Sequence, residues 1–383
     1  MLPLSGVRVV EFCQVLAGPY CGMLLADLGA EVIKVEPPEG DMMRQWPPIS
    51  EGYSENFASI NRNKRSVVLD LKDPAQKQAA RQLILSADVV LENNRPGVMD
   101  RLGLGYESFR AEKPGLVYCS ISAFGQSGPR SSEGGFDVTV QAMSGIMSVT
   151  GEPDGAPVKC GVPVSDVGTG LYAALTVVSI LRRVAGGGPG AHVDASMLGC
   201  SLGMAALQTS EFFGTGNDPK KLGSAHPRNA PYQAFKAADG HFVIAAGNNK
   251  LWEAVTKVVG RPDLLADQRF ATTQLRAANQ VALKDLLEVE FAKNGVDHWL
   301  GAFEAAGVPQ GRINTYSQIL ADPQVQHMGW VEEMELPSGV KTKTFGSPVR
   351  ISATDISKRR DPPALGADTE EVFGTTFQRK AAE

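Results

Sequence analysis

Val7-Arg8-Val9-Val10-Glu11-Phe12, then Cys13-Gln14-Val15-Leu16-Ala17-Gly18-Pro19, and, past a run ending at Gly29, Glu31-Val32-Ile33-Lys34-Val35: this stretch decides the fold. Residues 7–12 are a short, apolar, valine-rich run, the signature of a buried strand. Gly18-Pro19 makes a turn and sets proline at the first position of a helix, where its missing N–H leaves no bond unmade. Tyr20, Met23, Leu24 and Leu28 then recur at helical spacing, and Gly29 supplies the stop. Residues 31–35 are a second strand. Strand, helix, strand is a βαβ unit, which implies a parallel sheet with helices on both faces and hence the α/β class.

Working outward, residues 66–71, 89–91 and 116–121 read as further strands, with helices over 74–86 and 100–113 between them. From residue 135 the pattern turns helical, over 137–149, 168–183 and 197–213, with a glycine-rich loop at 186–190. The polar run 214–219 marks a boundary. Beyond it, residues 232–237 and 241–246 straddle Asp239-Gly240, a hairpin signal. Amphipathic helices follow from Leu251 to about Ala305, so this piece reads as a small α+β domain. The tail from Arg359 is charged and reads as peripheral.

The chain has 383 residues, room for two or three domains; 43% apolar and 21% charged residues exclude wholesale disorder. A net charge of −5 argues against a general binder of nucleic acid or of an anionic membrane. The most apolar run, residues 171–181, is short for a membrane span and carries Thr176 and Ser179. The first residues lack a basic region followed by an apolar one, so no secretory signal is read there. Five scattered cysteines without a C-x-x-C pair fit a reducing cytoplasm. With five equally scattered histidines, they offer no metal site.

The first βαβ unit invites a dinucleotide, and Glu36 even ends the second strand where a ribose-binding acid would sit. The turn, however, holds no G-x-G-x-x-G, and without its second glycine the backbone cannot approach a pyrophosphate. A nicotinamide or flavin enzyme is disfavoured.

The same stretch carries a resemblance. Val9-Val10-Glu11-Phe12, Ala17-Gly18-Pro19 and Leu25-Ala26-Asp27-Leu28-Gly29-Ala30-Glu31-Val32-Ile33-Lys34-Val35-Glu36 resemble the opening of family III CoA-transferases. Asn61-Arg62-Asn63-Lys64-Arg65-Ser66, Asn93-Asn94-Arg95-Pro96-Gly97, Asp166-Val167-Gly168-Thr169-Gly170, Tyr232-Gln233-Ala234-Phe235 and Gly346-Ser347-Pro348 extend it in order along the chain. The resemblance implies a large Rossmann-like parallel-sheet domain, residues 1–215 plus 326–383, with a smaller α+β domain at 220–325 inserted. It also implies an interlocked homodimer, and CoA thioester as substrate with no further cofactor. Three departures stand out: Pro37 replaces a frequent arginine, Asn94 replaces an aromatic, and no glycine-rich loop lies between His226 and Gly240. The last disfavours oxalate as acceptor.

By this resemblance Asp166 is the nucleophile; read without it, Ser165-Asp166 is simply the cap of the helix that follows. A carboxylate near a helix N-terminus is expected to favour its ionised form. It would attack the thioester carbonyl, expel CoA thiolate and leave a mixed anhydride. Leu16, Ala17, Leu69, Lys72, Asn93, Arg95, Arg101 and Asp137 are the implied CoA contacts. Arg62, Lys64 and Arg65 add to the positive charge a diphosphate needs, although such residues are usually a solvated face. Amides near Gly18 or Gly247 are candidates for holding an oxyanion, and Arg228 for clamping an acceptor carboxylate. Position 136 separates the family's reactions: its racemases carry a histidine there, whereas Phe136, read as a core aromatic, has no proton to transfer. The reading is therefore a cytoplasmic CoA-transferase for an acyl-CoA, such as succinyl-CoA, and a small carboxylic or dicarboxylic acid. A 2-methylacyl-CoA racemase and a non-catalytic acyl-CoA-binding protein are the alternatives.

Overall fold

The computed structural model describes residues 1–374. The chain divides into two compact units. One comprises Met1–Ile146, Lys159–Asn217 and the segment from Gln324; the other comprises Met147–Val158 and Asp218–Pro323.

The larger unit is built on a six-stranded sheet: β1 (Arg8–Phe12), β2 (Glu31–Glu36), β3 (Lys64–Val68), β4 (Val89–Glu92), β5 (Val117–Ser122) and β6 (Ala191–Ser196). They pair in the order β3-β2-β1-β4-β5-β6, every pairing parallel. This is the order of dinucleotide-binding sheets, reached without their glycine fingerprint. Alternate residues serve opposite faces. Val9, Val32, Val89, Leu91 and Cys119 face a core shared with α1 (Ala17–Asp27) and α4 (Val164–Ala185). Val10, Ile33, Val35, Val90 and Tyr118 face one closed by α2 (Pro74–Ser86). Cys13 and Cys21 are fully enclosed in the first core.

Several elements differ from expectation. Residues 100–113 do not form a helix, because Gly103 turns the chain at φ 71° and only short turns flank it. The helix expected over 137–149 stops as α3 (Asp137–Met143), broken by Gly145 at φ 84°. The helix expected over 197–213 is two, α5 (Met197–Met204) and α6 (Ala206–Thr215). The edge strand β6 was not anticipated, since polar His192 and Asp194 interrupt its apolar run. α4 is longer than read and is, by length and composition, apolar enough to cross a membrane. Its Ala173, Ala174 and Val177 are nonetheless built into the core beside α1.

In the second unit, β7 (Tyr232–Lys236) and β8 (His241–Ala245) form the expected antiparallel hairpin. β9 (Gln310–Arg312) pairs with β8. Helices α7 (Asn249–Val258), α8 (Gln280–Phe291) and α9 (Val296–Ala305) pack Trp252, Phe291, Trp299 and Phe303 around the hairpin's Phe235 and Phe242.

The chain then adds the hairpin β10 (Val331–Glu335) and β11 (Lys341–Phe345) to the larger unit. The tail is not peripheral over its described part; residues 375–383 lie outside the described residues. Asn63 Oδ1 accepts from the backbone N–H groups of Arg359 (2.8 Å) and Arg360 (3.0 Å). Ser66 N–H donates to Asp368 Oδ2 at 2.9 Å and Val68 N–H to Thr369 Oγ1 at 3.1 Å. This strap satisfies the edge of β3, which would otherwise offer unpaired backbone groups.

Candidate active site

In an open parallel sheet, a crevice opens at the carboxyl ends of the strands where their order reverses. Here that point lies between β1 and β4. Asn93, just past β4, grips the loop just past β1. Gln14 N–H donates to Asn93 Oδ1 at 2.9 Å, and Asn93 Nδ2 donates back to the Gln14 carbonyl at 2.8 Å. A side-chain amide thus continues the strand ladder by one step. The next residue, Val15, has φ 65°. Beyond it, Leu16 and Ala17 open α1.

A cleft of about 230 Å³ lies on this loop, lined by Val15, Leu16, Ala17, Asn93, Phe136 and Asp166 among others. A second hollow shares Asn93, Asn94 and Phe136 and runs on to Arg95. Asp166 arrives from the first turn of α4. One turn later Gly170 lets α4 approach α1 closely: a Cβ there would sit 2.9 Å from the Ala17 carbonyl oxygen. That contact brings Asp166 to the start of α1.

Neither Ser165 nor Asp166 caps its own helix. Pro163 occupies the cap position without a side-chain bond. Asp137, from the start of α3, does the work instead: its Oδ1 accepts from Ser165 N–H at 2.9 Å and from Asp166 N–H at 3.4 Å. Its Oδ2 accepts from Gln141 Nε2 at 2.6 Å. The carboxylate of Asp137, a residue expected to meet CoA, is thus engaged internally with α4 and Gln141.

The expectation of a readily ionised Asp166 is also overturned. Burial first, and the negative charge of Asp137 second, push its carboxyl up to about 7. Those two effects outweigh the helix dipole, which is worth about 0.3–1 kcal/mol in ordinary settings. A carboxyl poised near neutrality in a cleft makes Asp166 a candidate for chemistry.

The other expected residues sort themselves by partner. Leu16 and Ala17 line the cleft, and Arg95 lines the hollow beyond it. Lys72 and Arg101 are exposed. Asn93 borders the cleft, but its amide is spent on Gln14. Leu69 is 1% exposed within the core behind β3, so its side chain is not a ligand. Arg62 is buried on Asp27, with Nη2 to Oδ2 at 2.6 Å. Lys64 is buried on Glu11 at 2.8 Å. Arg65 pairs with Glu371 at 2.8 Å and borders a different hollow with Arg8 and Glu31, at the opening ends of β1 and β2. None of these three is placed to meet a phosphate at the cleft. Glu36, where a ribose-binding acid was considered, takes a two-pronged bond from Arg44 at 2.7 Å in each prong. Phe136 is no core aromatic; it is 68% exposed and borders both hollows. Arg228 and Gly247 belong to the second unit. Sequence reasoning passed over Asp41, Gln14 and Val15, because nothing in Gly40-Asp41 signals that it folds back beneath the first turn.

Comparison with known proteins shows the family. The pattern of CoA-transferase family III matches residues 4–369. A succinate–glutarate CoA-transferase of Agrobacterium fabrum is 39% identical, over 99% of this chain and 97% of its own. An acetyl-CoA:oxalate CoA-transferase of Acetobacter aceti is also 39% identical, over 99% and 96%, so overall similarity does not separate oxalate from longer acceptors. A CAIB/BAIF family protein from Brucella suis superposes with a TM-score of 0.86 at 40% identity, covering 99% of both chains. Matched almost end to end by the family's pattern, and 39% identical over nearly its whole length to named CoA-transferases, this protein belongs to CoA-transferase family III.

Proposed function

We propose that this CoA-transferase moves CoA from succinyl-CoA to a small dicarboxylate, with Asp166 as the nucleophile. The observation that carries the reading is the meeting of Asp166 with Leu16 and Ala17 in one cleft at the sheet's switch point. The donor and acceptor class rests on relatives such as that of Agrobacterium fabrum, named for succinate and glutarate. An Asp166 oxygen attacks the thioester carbonyl; the C–S bond breaks, and CoA leaves as thiolate with the electron pair. The thiolate attacks the aspartyl carbonyl of the mixed anhydride, releasing succinate and leaving an aspartyl-CoA thioester. The acceptor carboxylate attacks that thioester, expelling thiolate again. The thiolate then takes the acceptor's acyl carbon and returns Asp166 as carboxylate. Once Asp166 is ionised, no further proton need be moved and no group beyond CoA is required, which suits a thiol with a reference pKa of about 8.5. Lys72, Arg95 and Arg101 carry the phosphates in this reading.

The functional molecule in this reading is an interlocked homodimer in the cytoplasm. Leu175 is 66% exposed on α4, and Leu207 (63%) and Phe213 (82%) on α6, an apolar surface that a second copy would cover. The decisive experiment is Asp166→Ala, which is expected to abolish transfer while CoA affinity stays within a few-fold. Incubation of the wild type with succinyl-CoA and hydroxylamine should mark the chain at Asp166. Wild-type turnover by Asp166→Ala would end the assignment.

A further inference from the structure

Asp41 takes no part in the bond making above, yet it holds the cleft loop from beneath. Val15 is β-branched and sits at φ 65°, a region such residues rarely occupy. Its N–H lies 3.1 Å and 3.2 Å from the two carboxylate oxygens of Asp41. Asp41 is 1% exposed and is itself fixed from several sides. Lys34 Nζ lies 2.9 Å from its Oδ2, Met43 N–H donates to its Oδ1 at 3.0 Å, and its own N–H donates to Glu36 Oε2 at 3.0 Å. The same Lys34 ammonium donates to the Cys13 carbonyl at 2.7 Å. The buried Asp41–Lys34 pair, in which Lys34 also meets Glu11 at 3.0 Å, therefore grips the loop at the carbonyl of residue 13 and the N–H of residue 15.

The grip is continuous with the tail. Glu36 also accepts from Ser66 Oγ at 2.6 Å, and Ser66 Oγ in turn accepts from Gly366 N–H at 2.9 Å. Arg44, paired with Glu36, donates to the Pro363 carbonyl at 3.2 Å.

We propose that Asp41 is a positioning residue for CoA transfer: with Lys34 it holds Val15 left-handed, so that Leu16 and Ala17 are presented to Asp166 across the cleft. The inference rests on the reading of that cleft as the reaction site. A purely structural Asp41 would balance the charge of Lys34 and nothing more. The two roles part at Val15, because glycine adopts positive φ without assistance.

The test is steady-state transfer from succinyl-CoA to glutarate by wild type, Asp41→Ala and Asp41→Ala with Val15→Gly, with CoA affinity and thermal unfolding measured on each. Alanine removes both oxygens that accept from Val15 N–H, whereas asparagine would keep one. Asp41→Ala is expected to lower kcat by about 10- to 100-fold, the scale of an ångström-sized misplacement, with a much smaller change in KM for succinyl-CoA. Adding Val15→Gly should restore several-fold of kcat without restoring the unfolding temperature. A folded Asp41→Ala with wild-type kcat, or a loss that Val15→Gly leaves untouched, would overturn the proposal. Should Asp41→Ala fail to fold, Val15→Pro decides, since it forbids positive φ and removes the N–H while leaving the ion pair intact. A comparable loss of kcat in folded Val15→Pro supports the proposal and wild-type kcat overturns it. Asp166→Ala, run alongside, separates the two claims: if it is inactive while Asp41→Ala is unimpaired, only the role of Asp41 falls. If Asp166→Ala turns over normally, the reading of the cleft falls first.

Discussion

Asp137→Asn isolates what the neighbouring charge does to Asp166. The carboxyl of Asp166 moves from 3.8 to about 7, and 7 minus 3.8 is about 3.2 pH units. At 1.36 kcal/mol per unit this amounts to about 4 kcal/mol disfavouring the ionised form. Burial is the larger cause and Asp137 the smaller, so removing the charge relieves less than half, under about 2 kcal/mol. Asparagine can still accept from Ser165 N–H, but it loses the bond from Gln141 Nε2, at a cost of about 1 kcal/mol. The sign follows from the direction of the shift. A carboxyl raised on folding costs nothing below its unfolded value of 3.8, and its full cost is felt above about 7, so stability falls across that window. The substitution softens that fall but forfeits the hydrogen bond, leaving net stability nearly unchanged. The pH profile of kcat/KM is therefore the sharper assay. Because the nucleophile must be ionised, activity in the wild type should rise through an acidic limb near pH 7. In Asp137→Asn that limb should move down by no more than about 1.5 pH units and stay above 3.8. A limb that stays in place or moves up would refute the electrostatic account of this pair.

Two further predictions address substrate and reaction. Arg95→Ala and Lys72→Ala should each raise KM for succinyl-CoA, by about 1–3 kcal/mol of lost charge-assisted hydrogen bonding, and should leave KM for the acceptor nearly unchanged. Unaltered CoA affinity in both would return these exposed cations to the solvated surface. A pure (S)-2-methylacyl-CoA should keep its configuration, and in deuterated water its α-proton, because Phe136 cannot exchange one. Racemisation at a rate near that of CoA exchange would show that another base serves, and the transferase assignment would give way to the isomerase.

Much of the fold was legible because it depends on short-range regularities. Residues 74–86 announce themselves as a helix through proline at the first position and apolar spacing, and the structure places α2 on those residues. The βαβ opening is equally local. Elements set by long-range pairing were not legible: β6 is a strand because β5 offers it hydrogen bonds, with Ser120 opposite Asp194 and Tyr118 opposite His192. Nor does a charged tail announce that it closes a sheet edge some three hundred residues earlier in the chain.

The site divides along the same line. Asp166 and the turn at Leu16 and Ala17, which line one cleft, were singled out in the sequence, the aspartate by the resemblance and the turn by its place between strand and helix. The charge state of Asp166 was not. Helix position alone favours an ionised carboxylate, and only the folded chain brings Asp137 alongside and removes the water. The basic residues show the same limit. Arg62, Lys64, Arg65, Lys72, Arg95 and Arg101 are alike as cations in a sequence; Asp27, Glu11 and Glu371 claim the first three once the chain has folded. What the sequence by itself determined is which chemistry is present and which elements carry it. Which charges are spent holding the scaffold, and which stay exposed, only the tertiary structure decided, because a charge is neutralised by its nearest neighbour in space rather than in sequence.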